Sequence, residues 1–145
     1  MARLTARREI ARPSAEVFDF FSDASNNPKW QKGMISCEWS SPGPIEVGST
    51  YSQHARFMGR DVVSSFVVTE LEQGRSITIE TTASTFPIRV TRTVEPIDES
   101  SCRVSADISG GPENGLIRLI GPLVEKRAQK SVDADYDRLV QLLES

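Results

Sequence analysis

The sequence predicts an α+β fold, a seven-stranded antiparallel sheet with one apolar face covered by a long C-terminal helix. Three observations lead there. From Met34 to Ile108 the chain breaks into short runs of alternating apolar and polar residues separated by glycine, proline and acidic turns, the pattern of an antiparallel meander. From Gly115 to Ser145, Ile117, Ile120, Val124, Ala128, Val132, Tyr136, Leu139 and Leu143 recur at steps of three or four, as one helix face requires. A sheet with one apolar face needs a cover, and only this helix, about 40 Å long at 1.5 Å per residue, is long enough.

Taken in order, the first strand runs from Arg3 to Ala11, where Arg12-Pro13 disfavours further pairing and Ser14 is placed to cap a helix to about Ser22. Val17, Phe18 and Phe21 share its face, and Asp23 ends it. Asn26-Asn27-Pro28 opens a second short helix that Gly33 stops, since asparagine caps well and proline is tolerated in a first turn. The remaining strands are Met34 to Ser40, Thr50 to Phe57, Asp61 to Leu71, Ser76 to Ala83, Ile88 to Pro96 and Cys102 to Ile108. Pro42-Gly43-Pro44, Gly59, Gly74, Phe86-Pro87 and Asp98 to Ser101 form the turns. Gly110, Gly111 and Gly115 release the chain into the last helix, as a hinge or a plain connector. Gly121-Pro122 removes one backbone hydrogen bond there and predicts a bend.

Alternation also assigns the faces. Ile77, Ile79 and Thr81 point toward the helix, as do Val90, Arg92 and Val94, and Val104, Ala106 and Ile108. Tyr51, Gln53 and Ala55 point inward in the third strand, which sends His54 out beside Arg56. The fourth strand is ambiguous, because Val62, Phe66 and Val68 compete with Val63, Val67 and Leu71; the large aromatic favours Phe66 inside.

With 145 residues, the chain suits one domain, residues 1–145, able to bury about two-thirds of its unfolded surface. Cys37 and Cys102 sit far apart in apolar stretches, as reduced thiols of a cytoplasmic protein do. No apolar run approaches the roughly 20 residues that cross a bilayer, and a formal net charge of −3 with interspersed signs offers nucleic acid no general attraction. One histidine and two separated cysteines give no metal-ligand spacing, and no phosphate loop, dinucleotide fingerprint or nucleophile elbow is present. Neither metal nor cofactor is expected.

Ile10 to Asp23, followed by Pro28-Lys29-Trp30, resembles the opening of the polyketide cyclase/dehydrase and lipid transport group of the START and Bet v 1-like superfamily. Gly48-Ser49-Thr50-Tyr51, Val68 to Glu72 and the terminal helix extend the resemblance over essentially the whole chain. It implies a helix-grip fold: a curved seven-stranded sheet around the long helix, two short helices closing one end and an apolar cavity between.

Leu116, Leu119 and Leu123 widen the apolar arc of the helix over its first half, beyond what packing on one sheet face needs. Together with Ile120 they are candidate walls for an apolar ligand, opposite Phe66, Ile79 and Val90. Tyr51, Gln53 and Arg92 are polar positions on that wall. They either orient a ligand's oxygen atoms or satisfy one another, and a buried Arg92 needs an acceptor from the protein or from a ligand's carboxylate. The resemblance puts Trp30 at the cavity mouth, as a gate or a plug. The expected function is therefore binding or transport of a small hydrophobic molecule such as a lipid, isoprenoid, quinone or polyketide, with no catalytic residue assigned. Two alternatives stand beside it. One is a cyclase or dehydratase in which Tyr51, Gln53 or Arg92 assists proton movement or holds an enolate; the other is an interaction module whose leucines are covered by a second subunit in a homodimer or by another protein.

Overall fold

The computed structural model describes residues 2–57, 59–84, 87–110 and 122–145. The elements are β1 (Ala2–Ile10), α1 (Ser14–Ser22), a 3₁₀ turn (Ala24–Asn26), α2 (Asn27–Trp30), β2 (Met34–Trp39), β3 (Thr50–Phe57), β4 (Arg60–Glu72), β5 (Ser76–Ala83), β6 (Ile88–Asp98), β7 (Ser101–Gly110) and α3 (Pro122–Glu144). The seven strands form one antiparallel sheet in the order β1-β7-β6-β5-β4-β3-β2, an α+β helix-grip arrangement. The first strand and the start of the meander thus occupy opposite edges. The connection through α1 and α2 must cross the width of the sheet, six steps of about 4.8 Å along its curve. This is why the two short helices close one end of the sheet, with α1 resting on β6 and β7 and α2 on β2 and α3.

The last helix protects the edge strand β1. Gln129 lies alongside Thr5, its Nε2 donating to the Thr5 carbonyl at 2.8 Å and its Oε1 accepting from the Thr5 N–H at 3.2 Å. Arg8 Nε donates to Asp137 at 2.7 Å, and the Ala11 N–H donates to Glu144 at 2.8 Å. Backbone groups that would otherwise template another strand are therefore paired within the chain.

Two capping expectations fail. The N-cap of α1 is Pro13, whose extended backbone (φ −60°, ψ 144°) presents its carbonyl to the Val17 N–H at 3.1 Å; Ser14 is already helical. Asn26 does precede α2 but makes no side-chain cap. Its amide reaches back to the Phe20 carbonyl at 3.1 Å and its Oδ1 accepts from Lys29 at 3.0 Å, which fastens the end of α1 to α2.

The ambiguity of β4 has a cause. Its ladder with β5 slips between Val68 and Glu70, making Thr69 an extra residue. Before the bulge Ser64, Phe66 and Val68 are buried and Val63 is exposed; beyond it the phase reverses and Leu71 packs on the core. Leu71 thus joins the face of Phe66 and Val68 from beyond one inserted residue, while Val63 stays outside. The ladder between β3 and β4 has no such slip, so Tyr51 is buried, Ser52 exposed, and His54 lies on the outer face, 3.6 Å from Asp61.

Candidate ligand-binding site

Between the sheet and α3 the described residues line an open recess, a cavity of about 270 Å³. Its apolar wall is built by Leu4 of β1, Ala55 of β3, Val62 and Phe66 of β4, Ile88 of β6 and Ile108 of β7, closed by Ala128 and Val132 of α3. The cavity exists because short side chains meet across the gap. Ala55 and Ser64 on the sheet face Ala128 and Ser131 on the helix, and neither side projects enough to fill the space. Polar groups are few: Gln31, Gln53, Ser131, and the hydroxyls of Ser64 and Ser84, which lie 2.6 Å apart. A second, larger groove of about 700 Å³ involves Thr5, Arg7, Thr91, Ser105 and Asp107. Apart from Ala6 and Ala106 its lining is polar or charged, and such surface is ordinarily hydrated.

Of the candidate residues, Gln53 and Phe66 line the cavity. Trp30, Tyr51, Ile79, Val90 and Arg92 do not; they are buried in the packed core next to it. Trp30 is held firmly in place. It is 1% exposed, its ring meets Tyr136 edge to face at 4.9 Å, and its carbonyl accepts from Arg138 at 2.9 Å. Leu123 is also misplaced by the sequence reading. It is 68% exposed, because five residues at 3.6 per turn set it about 140° around the helix from Ala128. Leu116, Leu119 and Ile120, and the bend expected at Gly121, lie outside the described residues.

Behind Gln31 and Gln53 lies a buried polar cluster. Arg92, 8% exposed, donates from Nε to the Tyr136 hydroxyl at 2.9 Å and holds its guanidinium carbon 5.3 Å from the centre of the Trp30 ring. Among the described residues it has no ion-pair partner within 4 Å. The carboxylate that feels its charge, Asp135, is engaged by Arg138 at 3.0 Å and by the Lys32 N–H at 3.1 Å. Burial raises the Asp135 pKa, and those two hydrogen bonds oppose the rise.

Tyr51 stacks on Phe66 at 5.1 Å and meets Trp39 edge to face at 5.2 Å. Its hydroxyl, the indole nitrogen of Trp30, Gln31 Nε2 and Asn27 Oδ1 are buried without a hydrogen-bond partner among the described residues. Each such group costs about 1–3 kcal/mol, and a buried unpaired charge several more.

Cys37 joins the two regions. Asn27 Nδ2 approaches its sulfur at 3.8 Å, and its thiol faces Gln53 Oε1 at 3.8 Å. Burial pushes this thiol up to about 11, despite Asn27 and the Arg92 charge, so it stays protonated near neutral pH. Burial likewise holds the Tyr51 phenol well above its ordinary value. Both cysteines are free and buried. Among the described residues no group of histidine, cysteine and acidic side chains is arranged to hold a metal ion, and no helix is long and apolar enough to cross a membrane.

Sequence reasoning found Arg92 and missed its partner. Tyr136 stands on the apolar stripe of α3, where its ring was visible and its hydroxyl had no evident destination. Ala55, Ala128 and Ser131 were passed over because cavity walls made of small residues leave no sequence signal other than their smallness. Gln31 follows Trp30 directly, and burial of that tryptophan was the available clue.

Solved structures share this architecture. A START superfamily protein from Mycobacterium smegmatis superposes with a TM-score of 0.83 at 14% identity, over 99% of this chain and 98% of that one. The ginseng major latex-like protein 151 from Panax ginseng gives 0.74 at 12% identity, over 99% and 97%. The di-domain ARO/CYC StfQ from the steffimycin biosynthetic pathway gives 0.73 at 14% identity, with 97% of this chain matching 45% of that one. At these identities the likeness concerns the fold. No curated protein matches the sequence. Residues 1–144 match the polyketide cyclase/dehydrase and lipid transport family, and the chain belongs to that family.

Proposed function

We propose that the protein binds and carries a small apolar molecule in the cavity between its sheet and α3. The observation that supports this most directly is the space itself. About 270 Å³ bounded by Phe66, Val62, Ile88, Ile108 and Val132, with few polar groups among them, has the mostly apolar lining of a small-molecule pocket. Its volume lies just below the roughly 300 Å³ at which pockets for drug-sized ligands begin, which favours a compact ligand. The family's description as lipid transport agrees with this reading. Titration with a panel of fatty acids, isoprenoid alcohols, quinones and environment-sensitive dyes, read by fluorescence and melting temperature, tests it. At least one ligand should bind saturably and raise the melting temperature. Failure of every compound to do either rejects the proposal.

A cyclase or dehydratase role draws support from the other half of the family description and from the likeness to the ARO/CYC protein. The available groups restrict it. A permanently charged Arg92 and a phenol raised by burial suit holding an enolate oxygen better than abstracting a proton.

A further inference from the structure

The cluster behind Gln31 and Gln53 is unbalanced in a definite direction. It contains a buried cation without a counterion among the described residues, and three buried donors without acceptors: Trp30 Nε1, Gln31 Nε2 and the Tyr51 hydroxyl. One acceptor, Asn27 Oδ1, is also unpartnered, and rotation of that amide exchanges it for a further donor. Trp30 and Tyr51 are 1% and 2% exposed, so bulk water does not complete their bonding. What the cluster lacks is a compact anion with several acceptor lone pairs. A carboxylate has that chemistry: it accepts from guanidinium, indole, amide and hydroxyl donors at once, and charge-assisted bonds of this kind are the strong ones.

The cluster also adjoins the cavity. Gln31 and Gln53 line the cavity wall, and Gln53 is tied through Cys37 to Asn27. Phe66, which also lines the cavity, stacks on Tyr51. Gln31 Nε2 is itself one of the unpartnered donors, so a ligand resting on Phe66 meets the edge of the cluster at Gln31.

We propose that this cluster is the head-group subsite of the cavity and that it selects an amphipathic organic acid, held by its carboxylate. The inference rests on the ligand-binding reading above and narrows it from apolar molecules in general to those ending in a carboxylate.

Decanoate and naphthylacetate, each compared with the alcohol and methyl ester of the same skeleton, test it on ¹⁵N-labelled protein. The acids should bind about tenfold or more tightly than their neutral counterparts, as expected for a charge-assisted pair. They should also shift the Trp30 indole N–H resonance downfield, while that of Trp39, already bonded to Asp23, stays in place. Arg92→Met should abolish the preference. Tyr51→Phe deletes only an oxygen without a partner, so it should fold as well as the parent and still lose part of the preference. Equal affinity for acids, alcohols and esters, with the Trp30 resonance unmoved, overturns the head-group subsite and leaves the carrier reading intact. No binding by any of the six compounds, with an unchanged melting temperature, rejects both.

Discussion

The interior has two ends of opposite construction. Beneath α1 and α2 it is filled with rings: Phe18 and Phe21 meet edge to face at 5.4 Å, Trp30 packs on Tyr136, and Val17, Val104, Cys102 and Leu139 are fully buried among them. Toward the opposite end, beneath Ala128, alanine and serine stand among the larger apolar residues of the lining, and the sheet and helix leave a cavity. The same sheet supports both. What differs is the volume each element contributes to the gap, which shows that stability and binding capacity are assigned to separate parts of one core.

That division can be broken by substitution. The largest effect should come from the filled end: Phe21→Ala leaves a cavity where the surroundings are already close-packed and should cost about 3–5 kcal/mol in chemical denaturation, without changing which ligands bind. Ala128→Phe asks the converse at the hollow end. A ring placed there should occupy the void, change stability by no more than about 1–3 kcal/mol in either direction, and weaken ligand binding by about tenfold or more in fluorescence titration. If Ala128→Phe destabilises the protein as much as Phe21→Ala, the two ends are not distinct.

The smallest effect concerns the rim of the filled end. Asp23 Oδ1 accepts from Trp39 Nε1 at 2.8 Å and from the backbone and hydroxyl of Ser25 at 3.0 and 2.6 Å. Burial alone would raise this carboxyl, but the bonds from Ser25 and Trp39 prevail and hold its pKa below the usual value. Its contribution is therefore complete above the unfolded aspartate pKa of about 3.9 and is lost as pH falls through the lower folded value. Asp23→Asn should lower stability at neutral pH by about 1 kcal/mol or less for a group still partly in contact with solvent, and should flatten the acid limb of the stability profile measured by denaturant titration.

Much of this could be read before any coordinates. The strand at Ser76–Ala83 is found where alternation places it, and the inward parity of Arg92 and outward parity of His54 hold because β6 and β3 keep their period through those residues. Reading failed where one residue outweighs a pattern. Thr69 inverts β4, and Pro13 supplies the cap that Ser14 is better known for. It failed differently at the site. The resemblance put Trp30 at the cavity mouth and parity put Tyr51 on its wall, yet the contacts of α2 with α3 and of Tyr51 with Phe66 and Trp39 bury both beside the cavity.

The sequence by itself determined the order of elements, the single sheet with its covering helix, and the apolar side of β3, β5, β6 and β7. Those follow from periodicity and turn chemistry, which act over a few neighbouring residues. Only the tertiary structure decided that Ala55 and Ala128 face each other across empty space, that Leu123 turns outward, and that Arg92 is buried against Tyr136 and Trp30 without a carboxylate. A cavity volume and an unmatched charge are differences between contributions from segments far apart in the chain, and no local pattern carries a difference of that kind.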